Sequence, residues 1–398
     1  MHRNKNHQNM LGDLTVEEFL ATYWQKKPLL VRNALPDRLI PLSPDELAGL
    51  ACDESVESRI ILEKDGNTPW ELRCGPFDDA VFEQLPDTHW TLLVQECNKH
   101  VPELALLLDK FNFIPNWRVD DVMVSYAAPQ GSVGPHQDQY DVFLIQGVGH
   151  RHWQINPKAG NAENLVANTD LRILKNFKTE QQWTLAPGDM LYLPPGVAHY
   201  GVAQDDCMTF SVGFRAPSHE ELVTSFMESQ FATIRDEFTQ PRYTDPPLDS
   251  QIYSGLISDA ATQQVKAIIN TYLGNEERIK HWFARYASEP KGDIDPLIQA
   301  ETTLNRETLC RAIETIGELQ RSEYARFVYI DQPNDKKTLF INGHEFPLTT
   351  NLAFVAPLIC GQRSFSYDVL HPYFADPAFV DLLLTLFNAG YLYFLEPE

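Results

Sequence analysis

Five short runs of β-forming residues, 122–127, 140–146, 152–155, 190–193 and 208–214, follow one another between turn residues through the middle of this chain. Short strands punctuated by Gly and Pro point to an antiparallel sandwich or barrel. The pattern extends from roughly Leu14 to Ala216, behind an opening helical segment. A chain of 398 residues has length for two or three domains. Its 43% apolar and 22% charged residues fit a soluble globular protein and exclude general disorder. No apolar run approaches the ~18 residues a membrane span needs, so no membrane segment is expected.

Near Pro217 the period changes. Ser218-x-x-Glu221 reads as a capping box that opens a helix carrying Leu222 and Phe226. After a proline-rich break at 241–247, Ile257, Ala261, Val265, Ile268 and Tyr272 mark one face of a second helix, suited to packing or subunit association. Beyond a loop at 290–296 a helix is expected near 308–319. Asn342-Gly343 marks a hairpin, and helical stretches return around 352–360 and 378–387. Helices with one hairpin suggest a winged-helix-like module. Such modules often bind DNA, but residues 297–398 carry seven Lys/Arg against 13 Asp/Glu. Without a basic face the electrostatic part of DNA binding is missing, and no direct DNA binding is expected.

The whole chain carries a net charge of −23, which disfavours nucleic acid and suits a basic partner. Six scattered cysteines with no CxxC pair argue against a zinc ribbon or a disulfide framework and fit a reducing cytoplasm. The polar first ten residues carry no pattern of a secretion signal.

His136-Gln137-Asp138 is the one His-x-Asp of the chain, and on a strand residues i and i+2 share a face. Further on, Gly188, Pro194, Gly196 and His199 are spaced as in the second signature motif of the cupin family, which this segment resembles. The Asn that often follows that histidine four positions later is replaced by Ala203. Two histidines and a carboxylate on separate strands make the facial triad that leaves open positions on Fe(II). A 2-oxoglutarate co-substrate then needs a cation for its far carboxylate. Arg151, 15 residues past His136, and Arg215, at the end of the 208–214 run, both qualify, and spacing does not choose between them. Asp121, Met123 and Ser125 share one face of a strand, with Val122, Val124 and Tyr126 on the other. The Asp face lines a pocket, or Asp121 is solvated on an edge strand; the pattern alone leaves both open. His219-x-Glu221, the other metal-like pair, sits in a capping box and reads as structural. His150 and His152 have the opposite parity to Arg151 and read as facing away from it, and Trp153 and Cys207 read as core.

At this point the chain resembles the bacterial ribosomal oxygenases, JmjC-type cupins that hydroxylate arginine in the sixteenth protein of the large ribosomal subunit. The resemblance rests on residues 117–125, on Gly134-Pro135-His136-Gln137-Asp138-Gln139-Tyr140-Asp141-Val142-Phe143, on 187–199 and on 211–217, with Trp24-Gln25-Lys26-Lys27-Pro28-Leu29 also similar. It implies a mainly β double-stranded β-helix (JmjC/cupin) barrel over residues 1–216. An all-α helical dimerisation region over 217–292 and a winged-helix-like domain over 293–398 would follow. It implies that His136, Asp138 and His199 bind Fe(II), and that Arg151 with Ser125 takes the far carboxylate of 2-oxoglutarate. Asp121, Met123 and Tyr140 would line the slot for the substrate arginine. With O2 as co-substrate, the expected reaction hydroxylates the arginine β-carbon in a cytoplasmic homodimer and releases succinate and CO2. Two other readings stand beside it: hydroxylation of another residue, such as histidine, and a non-enzymatic metal-binding cupin that acts as a regulator. Asp121 and Arg151 count against them, because the first favours a cationic side chain and the second a carboxylate co-substrate.

Overall fold

The computed structural model describes residues 10–35, 41–158, 164–167, 169–235, 242–247, 255–290 and 303–395. The opening nine residues, Pro241, residues 291–296 of the expected loop and the expected boundary at 292/293 lie outside them. The chain divides into two units, Met1–Ala216 and Pro217–Glu398.

The first unit holds twelve strands among its described residues: β1 (Leu29–Val31), β2 (Ser58–Leu62), β3 (Glu71–Cys74), β4 (Trp90–Val94), β5 (Val119–Ala127), β6 (His136–Gln137), β7 (Val142–Val148), β8 (Arg151–Asn156), β9 (Gln181–Leu185), β10 (Met190–Leu193), β11 (Ala198–Ala203) and β12 (Cys207–Phe214). Eight form one sheet in the order β1-β10-β7-β12-β5-β4-β2-β3, and four form a second in the order β6-β11-β8-β9. The pairs are antiparallel. Strand parity shows how the sheets stack. Val142, Leu144, Leu191 and Leu193 of the large sheet meet Trp153, Ile155 and Leu185 of the small one in a single cluster. The alternate residues Phe143, Ile145, Met190 and Tyr192 face the other way, into a larger core with Phe19, Leu47 and Leu104. Those three come from the helices Val16–Thr22, Pro44–Leu50 and Pro102–Asp109. The first two helices open with capping boxes, Thr15 with Glu18 and Ser43 with Glu46. The large sheet is therefore covered on both faces, which is why all eight residues of β12 are buried. This is the antiparallel barrel expected from the strand spacing, and the double-stranded β-helix that the family resemblance implies.

The second unit contains the helices His219–Arg235, Asp259–Leu273, Glu276–Ser288, Arg306–Ile316, Val355–Gly361 and Pro377–Asn388. The Ser218 hydroxyl accepts from the Glu221 amide at 3.0 Å and the Glu221 carboxylate accepts from the Ser218 amide at 3.0 Å, so Glu221 serves the cap. Asn342 and Gly343 have φ of +49° and +80°, the left-handed pair a two-residue hairpin turn requires, and join Lys337–Ile341 to His344–Leu348. There is more sheet than one hairpin. Phe327–Asp331 extends it to three strands, and Ser364–Ser366, Glu318–Arg321 and Leu392–Tyr393 form another three-stranded sheet. Strands of two to four residues are too short to display an alternation, so the sequence does not announce them. The helix Glu276–Ser288 is also an addition, though its Asn275 cap and the spacing of Ile279, Trp282 and Tyr286 carry the ordinary helical signal. Among the described residues no helix is long and apolar enough to cross a membrane, and all six cysteines are free.

Candidate active site

His136 on β6 and His199 on β11 are direct partners in the antiparallel register, so their side chains leave the sheet on one face. Asp138 follows two residues after His136 and is held by the turn that precedes β11. The Gly196 amide donates to the Asp138 carbonyl at 2.8 Å, and the Gln137 side chain donates to the Gly196 carbonyl at 2.8 Å. Gly196 has φ of +79°, which a side chain would resist, so the Pro-Pro-Gly turn is a structural requirement of the site. The donor atoms of His136, Asp138 and His199 all lie within 4.8 Å of one another, the one such His/Cys/Asp/Glu group of three or more among the described residues. Nε2 of His136 is 3.8 Å from one Asp138 oxygen and Nε2 of His199 is 3.6 Å from the other.

The histidine tautomers follow from their other nitrogens. Nδ1 of His136 lies 2.9 Å from the Gly134 carbonyl and Nδ1 of His199 lies 3.0 Å from the Val197 carbonyl. A carbonyl accepts only, so each Nδ1 carries the proton and each Nε2 offers its lone pair toward Asp138. Burial, and then the neighbouring His136, lower the His199 pKa to about 4, which keeps that ring neutral at neutral pH. Two imidazoles and one carboxylate converging from one side fit Fe(II) with open coordination positions.

The second feature is a guanidinium in the core. Arg151 on β8 is 3% exposed, and among the described residues no carboxylate pairs with it. Its Nη1 donates weakly to the hydroxyls of Ser125 and Thr209, at 3.3 and 3.4 Å, while its Nε has no partner. The neighbouring Trp153 Nε1 is also buried without a partner. Burial lowers the Arg151 pKa from its ordinary value, yet a guanidinium stays charged at neutral pH. A buried, under-satisfied cation is costly unless an anion completes it, and a carboxylate has both that charge and the acceptor oxygens. Arg215, the rival, sits at the far end of β12, where its amide donates to the Arg118 carbonyl at 2.5 Å and its carbonyl accepts from Arg118 Nε at 2.6 Å. His152 contacts Thr184 and His150 contacts Asp205, away from Arg151, as their parity requires.

Across the large sheet, two side-chain rows line the inner face. Gln146, Thr209 and Ser125 are register partners on β7, β12 and β5, as are Leu144, Ser211 and Met123. Asp121 stands beyond them, beside Gly213 at a bulge of β12. Strand β5 pairs with β12 on one side and β4 on the other, so the edge-strand alternative for Asp121 is wrong: it is 7% exposed and buried inside the sheet. Tyr140 is 43% exposed at the rim. Its phenol pKa is raised by desolvation, then by the charges of Asp138, Asp121 and Asp120.

Several residues of this pocket were not legible as such. Trp153, read as core, is indeed buried, but its ring lies 5.2 Å from the Arg151 guanidinium and 5.9 Å from the His199 ring. Gly201, its partner on β11, has to be glycine, because a Cβ there would come within 2.6 Å of the indole. Ala203 is the register partner of Arg151, so the position that departs from the cupin motif puts a small side chain beside the guanidinium. Thr209 and Ser211 do carry a signal, since they alternate with Met208, Phe210 and Val212. Beneath the site, the fully buried Asp141 accepts from Tyr192 at 2.6 Å, from Arg118 at 3.1 Å and from Gln25 at 3.1 Å. The Trp24-Gln25 segment is thereby tied to the loop that carries Asp138 and Tyr140.

Comparison with known proteins places these features. Residues 106–222 match the model of the JmjC domain and residues 256–393 that of the ROXA-like winged helix. The chain is 32% identical over 379 residues to the ribosomal protein uL16 3-hydroxylase of Escherichia coli, covering 95% of this chain and 97% of that protein. The crystal structure of E. coli YcfD superposes with a TM-score of 0.85 at 30% identity, covering 96% of this chain and 98% of the other. The structure of YcfD, described as a ribosomal oxygenase, in complex with cobalt and 2-oxoglutarate superposes with a TM-score of 0.82, again at 30% identity, covering 96% and 99%.

Proposed function

This chain belongs to the ribosomal oxygenases, and from that premise we propose that it hydroxylates the β-carbon of an arginine in the large-subunit ribosomal protein uL16. It is an Fe(II)- and 2-oxoglutarate-dependent oxygenase. The observation that carries the substrate reading is a buried carboxylate and a buried guanidinium flanking the three donor side chains. Asp121 and Arg151 are 7% and 3% exposed; contacts run from Asp138 through His199 and Trp153 to Arg151, and the charges of Asp138 and Asp121 both raise the phenol pKa of Tyr140. The three donor side chains thus lie between a carboxylate that suits a cation and a guanidinium that suits an anion.

When bound there, Fe(II) with 2-oxoglutarate and O2 supplies the oxidising power that turns a C–H bond into C–OH, with release of succinate and CO2. The residues divide the remaining work. His136, Asp138 and His199 hold the metal through Nε2 and carboxylate oxygens. Arg151 takes the far carboxylate of 2-oxoglutarate, and Ser125 and Thr209 fix the guanidinium from the side. Asp121 receives the substrate guanidinium while Met123 and Tyr140 flank its stem, which leaves the carbons near the backbone as the part presented to the metal. The apolar inner cluster around Leu144, Leu191 and Leu193 keeps bulk water from the other side of the pocket. A net charge of −23 steers a basic ribosomal protein toward the site. Intact-mass spectrometry of uL16 after incubation with the protein, Fe(II), 2-oxoglutarate and air is expected to show a gain of one oxygen, mapped by fragmentation to the β-carbon of one arginine. Oxygen on a histidine, or none, would overturn the assignment.

The protein acts in the cytoplasm, where ribosomal proteins are made and assembled, as a dimer formed through its 217–292 helices. Val265, Ile268 and Ile269 on the helix Asp259–Leu273 are 46%, 37% and 49% exposed, and Leu256 and Ile257 just before it are 61% and 80% exposed. Several large apolar side chains left this exposed along one segment suit an interface with a second copy. Sedimentation equilibrium is expected to give twice the chain mass, and Ile268→Glu with Val265→Glu to give the monomer. A monomeric wild type at micromolar concentration would reject the dimer.

A further inference from the structure

The carboxylate of Asp121 does not stand alone. The corner that follows β4 is folded onto it: the Glu96 backbone N–H donates to Asp121 Oδ2 at 3.0 Å. With the Gln95 amide oriented by its neighbours, its nitrogen donates to the same oxygen at 3.1 Å while its oxygen accepts from an Arg59 nitrogen at 2.5 Å. Two donors on one oxygen fix the rotation of the carboxylate. The other oxygen, Oδ1, faces Gly213, where even a Cβ would stand 3.3 Å away. The next residue of β5 is gripped by the same corner, because the buried Asn98 side chain accepts from the Val122 amide at 2.8 Å.

This corner is strained in the manner of a part kept for a purpose. Glu96 has φ of +51°, a left-handed conformation that a side-chain-bearing residue adopts reluctantly. That conformation turns its N–H toward Asp121. Its own carboxylate is clamped by Lys99 Nζ at 2.7 Å through Oε2, and its Oε1 is buried without a hydrogen-bond partner.

We infer that Gln95 and Glu96 are positioning residues for substrate recognition: they hold the Asp121 carboxylate in the orientation that meets the substrate guanidinium. This rests on the reading of Asp121 as the guanidinium acceptor. A hydrogen bond to a charged group contributes enough that removing one shifts affinity on the order of 10-fold.

The test is Gln95→Met, which conserves volume and removes the donor, assayed with an arginine-containing uL16 peptide. The peptide KM is expected to rise about 10-fold, with kcat and the KM for 2-oxoglutarate within about twofold of wild type. In an Asp121→Ala background, Gln95→Met is expected to add nothing, since the group it orients is gone. Equal penalties in both backgrounds, or an unchanged peptide KM in the single variant, overturn the positioning role while leaving the arginine reading intact. A wild type that turns over 2-oxoglutarate and leaves the arginine peptide unmodified overturns that reading, and this inference with it.

Discussion

Asp138→Ala is expected to abolish iron-dependent succinate formation. Asp138 is the one anionic member of the His136–Asp138–His199 group, and both histidine Nε2 atoms point at its oxygens, at 3.8 and 3.6 Å. Two neutral imidazoles alone give a divalent ion neither the charge nor the third ligand, whereas loss of an outer partner of a ligand already costs about 10–100-fold. A loss of the ligand itself should exceed the upper end of that range. The fold should survive, because what Asp138 contributes to the turn is its backbone carbonyl, which accepts from Gly196 and is unaffected by the substitution. The measurement is twofold: succinate released per minute, and cobalt(II) binding followed by absorbance with metal-free thermal unfolding as the control. Succinate output at the wild-type level would sink the assignment of this group as the metal centre. Loss of activity together with a collapsed Tm would instead mark Asp138 as structural.

What could be read from the sequence was what depends on local spacing. His136-x-Asp138 and the Gly-Pro-Gly-His series are set by strand parity and by turns, both of which are local. The alternation on β5 separated Asp121, Met123 and Ser125 from Val122 and Val124 for the same reason, and the large core now accounts for the valine side. What could not be read depends on register. Nothing near Arg151 in the chain announces Thr209, Ser125 or Ala203 as its neighbours; they meet it because β12, β5 and β11 pair where they do. The choice between Arg151 and Arg215 is of this kind: spacing left it open, and the sheet order puts one in the pocket with Ser125 and the other against Arg118. Gln95 and Glu96 were invisible for a further reason, since a left-handed glutamate and a reoriented amide leave no periodic trace. The small strands of the second unit were missed because two to four residues cannot display a period.

Arg151→Met should separate stability from function, with opposite signs. In the wild type the guanidinium is 3% exposed, its Nε lacks a partner, and its contacts to Ser125 and Thr209 are long, at 3.3 and 3.4 Å. Such a charge lowers the stability of the fold that contains it. Replacing a buried ionic group with an apolar one of similar volume is often neutral or stabilising by about 1–4 kcal/mol, so the unliganded variant should melt at or above the wild-type temperature. The indole of Trp153, 5.2 Å from the guanidinium, would pack against the methionine instead. The co-substrate sees the reverse. Breaking a buried charge pair by removing one partner costs about 3–5 kcal/mol, which corresponds to roughly 10²–10⁴ in kcat/KM for 2-oxoglutarate. Linkage offers an independent check. Adding saturating 2-oxoglutarate to the metal-loaded protein should raise the wild-type Tm further and leave that of metal-loaded Arg151→Met nearly unmoved. Peptide affinity at the Asp121 end should change little, because the two ends of the pocket recognise opposite charges. If the variant instead unfolds at a lower temperature and still gains stability from 2-oxoglutarate like the wild type, Arg151 is a packing residue and the carboxylate must be held elsewhere.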